Sequence, residues 1–249
     1  MSEEHAAHSP LAQFEIFPLR PIHFAGYDIS FTNSSLWMVI VITAIIALLL
    51  PASRKKSIVP GRLQNIAELL VEFVGNTVSE ASGKEGMKYF PIVFTLFMFV
   101  LTCNLLGMIP GSFTVTSHII ITFALAAFIF IGVTLIAILK HGPLKFLHFF
   151  LPEGTPLLMA PLLFVIEFFS YLSRPISLSV RLAANMMAGH VTMKVIAGLI
   201  ITFGMLVGVA SMFPLLLFLT GFEIAIAVIQ AYIFTVLTCV YLNDALHLH

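Results

Sequence analysis

The chain has 249 residues, of which 59% are hydrophobic and only 10% charged; 12 basic and 12 acidic side chains leave no formal net charge. Soluble domains carry about 25% charged residues, so this composition excludes a water-soluble enzyme, a disordered chain and a nucleic-acid binder. A neutral chain also has no global field to gather polyanions. What remains is a polytopic helical membrane protein. Cys103 and Cys239 stand in apolar runs and suggest neither a disulfide framework nor a thiolate metal site.

Residues 1–30 are mixed and proline-containing, without the basic start and apolar core of a signal peptide. Ile29–Ser53 has no charge, and Asn33, Ser34 or Ser35 is placed to cap its helix. Arg54, Lys55 and Lys56 follow at once. The positive-inside rule puts that end in the cytoplasm and the N-terminus outside. In Pro60–Ala81, Leu63, Ile66, Leu70, Val74 and Val78 recur at helical spacing, with Arg62, Glu68, Glu72 and Glu80 elsewhere on the wheel. This predicts an amphipathic helix on the cytoplasmic surface or against a partner. Phe90–Ile109, bounded by Pro91 and Pro110, is a second charge-free span. Ile119–Leu139 is a third, ending at Lys140 with Lys145 close behind, which again places that end inside.

The last hundred residues divide less neatly. From about Leu157 to Phe203 the pattern is helical and interrupted only by Pro175. That is roughly 70 Å of helix against a hydrocarbon core of about 30 Å. It is either two spans with a concealed turn or one long, kinked, tilted helix; no turn cluster appears mid-run, which favours the second. Pro214–Asn243 is again longer than a perpendicular span, with Gly204 and Gly208 marking the bend between the two. No internal repeat of the secondary-transporter kind is present. The expected fold is all-α and polytopic, a single membrane domain over 1–249 with five crossings. It comprises an external segment 1–30, three spans within 31–145 with the amphipathic helix at 60–81, and a long, tilted antiparallel hairpin at 156–243. The C-terminus lies inside.

Of the 24 charged side chains, only nine lie beyond residue 88, and these are the ones a bilayer would submerge. Glu167, Ser170, Arg174, Ser177 and Asn185 all fall within roughly 40° of Arg181 on a helical wheel, and Ala184 and Ala188 extend that side. A charge near the bilayer centre costs between about 2.5 and 17 kcal/mol. Such a face must therefore meet protein or water, and its small residues admit another helix closely. It is either a glued helix–helix interface or an ion path, and intramembrane ionisable groups favour the path. Arg174, beside Pro175, suits a structural or interfacial role better. His190 falls on the opposite side of the helix from Arg181, while Glu223 and Gln230 share a face of the last helix. Folding the two helices about a bend near residue 206 sets His190 level with Glu223, Arg181 and Asn185 with Gln230, and Glu167 with Asp244. Histidine and carboxylate exchange protons near neutral pH, whereas arginine keeps its proton. The layout suggests two pieces of a proton path separated by a fixed positive charge.

The segment Ser177-Leu178-Ser179-Val180-Arg181-Leu182-Ala183-Ala184-Asn185-Met186-Met187-Ala188-Gly189-His190 resembles the signature of subunit a of F-type ATP synthases. Glu223 through Phe234 resembles the last helix of that family. Asn104-Leu105-Leu106-Gly107-Met108-Ile109-Pro110 is similar to the end of its second span, and Ser30 through Leu36 to the start of its first. The resemblance implies a subunit beside a rotating ring of c-type proteolipid subunits, each with a membrane-buried carboxylate reached through two offset half-channels. It implies b-type peripheral-stalk subunits as partners, with the catalytic head contacted indirectly, and a membrane-lipid environment.

By the same resemblance Arg181 takes the place of the stator arginine, with Asn185 and Gln230 as its polar neighbours. His190 and Glu223 match the outer half-channel, and Glu167 an acidic position of the inner one. Ser177 belongs to the same motif; Asp244 joins the path from register alone. Ala183-Ala184 departs from the Phe-Gly of many bacterial members. No cofactor or metal is expected, nor any nucleotide site, since the chain has no P-loop motif. The expected location is a bacterial inner membrane, with an organelle inner membrane as the lesser possibility. Competing expectations are a stand-alone ion-coupled transporter or channel, a sodium-coupled form of the same subunit, and a purely structural anchor.

Overall fold

A computed structural model of the chain describes residues 14–21, 23–24, 27–28, 30–54, 60–109, 112–148, 159–202 and 205–247. Lys55, Lys56, Pro110, Gly204 and the start of the expected hairpin at 156–158 lie outside these. Among the described residues, five helical stretches are long and apolar enough to cross a membrane: Asn33–Arg54, Arg62–Gly107, Ile119–His141, Ala160–Ile200 and Met212–Leu246.

The N-terminal segment holds structure that the sequence did not announce. Strand β1 (Pro18–Arg20) pairs antiparallel with β4 (Phe31–Thr32), and β2 (His23–Phe24) with β3 (Tyr27–Asp28). Strands of two or three residues are too short for an alternating pattern to show. Asn33 ties this segment down: its Oδ1 accepts from the Phe17 amide at 3.3 Å, and its Nδ2 donates to the Glu15 carbonyl at 3.0 Å. Helix α1 (Asn33–Arg54) is capped by the preceding Thr32, whose Oγ1 accepts from the Ser35 amide at 3.3 Å. The expected cap at Asn33, Ser34 or Ser35 is therefore one or more residues late.

Helix α2 runs Arg62–Gly86, longer than the expected 60–81, with a break at Gly83 (φ 63°, ψ −163°), a backbone state essentially reserved for glycine. Its buried positions are Ala67, Val74, Val78, Ser82 and Gly86. Val74 and Val78 match the expected apolar face. Leu63 and Ile66 do not: they are exposed, because cover of α2 begins only at Ala67 and continues from there to its C-terminal end. There Ser82 Oγ donates to the Cys239 carbonyl at 2.7 Å, and Phe73 packs on Phe97 and Tyr232.

A 3-10 turn at Met87–Tyr89 leads into α3 (Phe90–Gly107). Helix α4 (Ile119–His141) buries Thr122, Ala126, Ile129, Val133 and Ala137, while Ile120, Phe128, Ile131 and Leu135 point outward. Smaller residues inside and large apolar ones outside are what a helix in lipid requires. Gly142 (φ 83°) ends α4, its amide donating to the Ile138 carbonyl at 2.8 Å. A six-residue helix α5 (Pro143–His148) follows.

Helix α6 (Ala160–Thr202) runs unbroken through Pro175 for 43 residues. It is one long helix, not two spans with a concealed turn. Helix α7 (Met205–Leu246) is 42 residues long. It begins nine residues before the expected Pro214 and already includes Gly208, so a bend at Gly208 is not found.

The chain packs as two compact units: residues 1–55, 98–118 and 182–231 form one, and 56–97, 119–181 and 232–249 the other. In the first, α6 and α7 run antiparallel. Asn185 meets Gln230, Gly189 meets Glu223, and Met193 meets Thr220. Val100, Leu182, Met186, Ala227 and Ala231 are among its buried residues. In the second unit, Tyr171 hydrogen-bonds Thr134 at 2.7 Å and packs on Phe130.

Candidate functional site

The first unit gathers most of the polar residues singled out from sequence. Glu223 and Gln230 sit on α7 two turns apart, and both are buried. Asn185 Nδ2 donates to Gln230 Oε1 at 3.0 Å. Register had set Gln230 in one level with Arg181 and Asn185; of the two, the one that bonds it is Asn185. His190, also buried, is bound through Nε2 to Thr114 Oγ1 at 3.0 Å, and its ring makes a T-shaped contact with Phe14.

Glu223 comes within reach of His190's helix because residue 189 is glycine. A Cβ there would stand 2.0 Å from Glu223 Oε1. The carboxyl thus lies against bare α6 backbone, beside His190. Neither of its oxygens has a hydrogen-bond partner among the described residues. It lines an open cleft of about 310 Å³ shared with Asn185, Gly189, Thr192 and Leu219.

Asn104 on α3 holds this arrangement, though sequence gave it no site role. It is fully buried, donates to the Ala227 carbonyl at 3.3 Å, and accepts from Thr116 Oγ1 at 2.9 Å. Ala227 lies one turn from Glu223, so the bond fixes the turn that presents the carboxyl. Thr114 and Thr116 were missed as well. Their signal was the polar run Ser112-Phe113-Thr114-Val115-Thr116-Ser117-His118 between two apolar spans. A buried polar side chain in a membrane protein marks a packing or transport contact.

Along α6, Arg181 is exposed, and so are Ser177, Ala184, Asn185 and Ala188 on the same face. Part of the stripe expected from the wheel is thus exposed, with Arg181 among small residues, whereas Arg174 of the same stripe is half-buried. Glu167 is half-buried on the same helix.

Asp244 has a different neighbour from the one expected. In the second unit its Oδ2 accepts from Arg174 Nη1 at 2.9 Å, and the guanidinium lies over the rings of Tyr171 and Tyr241 at 5.3 and 5.0 Å. Register from sequence had set Asp244 level with Glu167; the structure sets it level with Arg174, two turns away along α6. Arg174, whose place beside Pro175 suggested a structural or interfacial role, is thus held by one carboxylate and two rings. Among the described residues no cluster of His, Cys, Asp or Glu has the make-up of a metal site.

Residues 35–243 match the profile of the ATP synthase A chain family. The chain belongs to that family. It is 53% identical over 242 residues to a Rhodospirillum rubrum protein named ATP synthase subunit a, covering 97% of this chain and all of that one. It is 52% identical over 246 residues to the protein of the same name from Pelagibacter ubique (strain HTCC1062), covering 98% and 99%. Membership and the five apolar helical stretches make the chain a multi-pass helical membrane protein.

Proposed function

We propose that this chain is the proton-translocating stator subunit of an F-type ATP synthase, working in two offset half-channels against a ring of c-type proteolipid subunits. As a member of the family it is one subunit of an ATP-synthesising complex. The observation that carries the channel assignment is Glu223: a buried carboxyl whose oxygens meet no donor among the described residues, set against Gly189 beside His190 and opening onto a cleft. A buried polar group without a protein partner calls for an explanation, and an ionisable one inside a membrane is a transport group by default.

Glu223 and His190 take protons from outside and deliver them towards Asn185 and Gln230. Arg181, on the open small-residue face, meets the ring carboxylate. A neutral carboxyl can face lipid, while an ionised one cannot. A fixed positive charge favours the ionised form, so the ring site releases its proton at Arg181, towards the Glu167 and Ser177 side. Arg181 cannot relay a proton itself, so it separates the two half-channels. Each charge moved through 100 mV releases about 2.3 kcal/mol, so several steps must be added by rotation for each ATP made on the catalytic head. Nucleotide chemistry belongs to that head, not to this chain. The b-type stalk holds the stator, the membrane is a bacterial inner membrane, and the termini lie on opposite sides, the C-terminus inside. Protons rather than sodium ions are the cargo, because histidine lines the intake.

Arg181→Ala in membrane vesicles tests this, with assembly checked by subunit stoichiometry. ATP-driven pumping should be lost, while passive proton conductance after stripping the head is retained or raised. Coupled pumping by the assembled variant at the wild-type rate would return the polar face to a packing role.

A further inference from the structure

His190 is held by a side chain from neither long helix. Thr114, between α3 and α4, is only 4% exposed and stands 3.0 Å from Nε2. Its position is set from behind by Gly107, the last residue of α3. A Cβ at 107 would lie 2.8 Å from Thr114 Cγ2 and 3.2 Å from its Oγ1. The hydroxyl is also 3.4 Å from the Gly107 carbonyl oxygen, and the Thr114 carbonyl accepts from Ser117 Oγ at 2.7 Å. Phe14 flanks the imidazole with ring centroids 6.4 Å apart.

A threonine hydroxyl has one hydrogen to give and lone pairs to accept with. Turned to the Gly107 carbonyl, its hydrogen leaves Oγ1 open to accept from Nε2–H. The hydrogen bond at one ring nitrogen decides the role of the other. We propose that Thr114 is a positioning residue that keeps the hydrogen on His190 Nε2, so that Nδ1 is the nitrogen that gains and loses the transported proton. This rests on the proton-path role of His190 proposed above. The balance is one proton in and one out. Nδ1 binds a proton from the water side, the ring becomes an imidazolium, and Nδ1 then yields that proton through intervening water to the Glu223 carboxylate. Nε2 keeps its own hydrogen, and its bond to Thr114, throughout.

The same threonine orientation serves both charge states, so the ring need not turn between steps. Without the hydroxyl, both tautomers become available and part of the population presents the wrong nitrogen. The ionisable groups on the segments that pack here are Glu223 of α7, whose carboxyl lies against Gly189, Lys194 one turn along α6, Glu15 beside Phe14 in the chain, and His118 in the Thr114 segment. Burial holds the His118 imidazole below the usual histidine range, opposed by a hydrogen bond with the Phe14 backbone.

The test uses the assembled complex in vesicles. Thr114→Val keeps the shape and removes the hydroxyl. Pumping should fall about fivefold, the order expected for one neutral hydrogen bond. The pH profile of passive conductance in head-stripped vesicles should shift with it. Thr114→Ser should restore both, and Gly107→Ala, which pushes Thr114 off its place, should behave like Thr114→Val. Thr114→Ala supplies the same reading from a smaller side chain should the valine variant not assemble. Wild-type pumping and an unmoved pH profile in an assembled variant without the hydroxyl overturn the assignment. His190→Ala separates the two levels. If it pumps normally, the path through His190 itself fails. If it does not pump while Thr114→Val does so normally, only the role of Thr114 fails.

Discussion

At residue 189 anything larger than hydrogen would occupy the space of the Glu223 carboxyl. The obstructed atoms are the far end of a flexible side chain, so Gly189→Ala should cost little in assembly and much in transport. Moving a reacting group by about 1 Å typically costs on the order of a hundredfold, and we expect pumping to drop by about ten- to a hundredfold with subunit stoichiometry unchanged. A variant that fails to assemble would show instead that Gly189 serves packing. Arg174 and Asp244 make the opposite case, an ion pair expected to contribute to stability. Removing one partner leaves a half-buried charge without its neighbour. Arg174→Met or Asp244→Leu alone should lower stability by about 1–2 kcal/mol, discounted for partial exposure. The double variant should recover most of that in thermal unfolding of the detergent-solubilised complex. A double variant no better than the worse single one would mean that the two groups do not act as a pair.

At the scale of elements, the ends of helices are joined by charge. Lys140 and His141, at the end of α4, both bond the Leu246 carbonyl at the end of α7, and Lys140 also pairs with Glu85 near the end of α2. Cations at helix C-termini satisfy carbonyls that the helix itself cannot. The Lys140 hydrogen bond, and then its charge, hold the Glu85 carboxyl below its ordinary range. A lowered folded value means that this contribution to stability is complete above the ordinary carboxylate range and lost as pH falls through the folded value. Wild type and Glu85→Gln should therefore melt apart at neutral pH and converge in acid. A constant gap across pH would exclude the pair as its source. Element boundaries were legible where chemistry changes abruptly. Lys140 ends the apolar run of α4, and the expected limit of the amphipathic helix falls two residues before the break at Gly83. The register of α2 was less legible, because Leu63 and Val74 look alike in sequence and differ only in whether another helix covers them.

At the scale of the whole molecule, the five apolar helical stretches, if each crosses once as proposed, predict termini on opposite sides of the membrane. Glu15→Cys and His247→Cys, both at exposed positions, should react with a membrane-impermeant maleimide from opposite faces of sealed vesicles. The native Cys103 and Cys239 are buried and should stay silent. Labelling of both new cysteines from one face would require an even number of crossings. The sequence by itself determined the class of protein, the number of apolar helices and the polar residues His190, Glu223, Asn185 and Gln230, and it favoured a single long α6. Each of these is written in local composition or helical period, which need no partner to be read. Only the tertiary structure decided who meets whom: Asp244 with Arg174, Gln230 with Asn185, His190 with Thr114, and Asn104 with the turn that bears Glu223. Those pairings join residues far apart in the chain, and a helical period fixes a direction around one axis without saying which neighbour stands there.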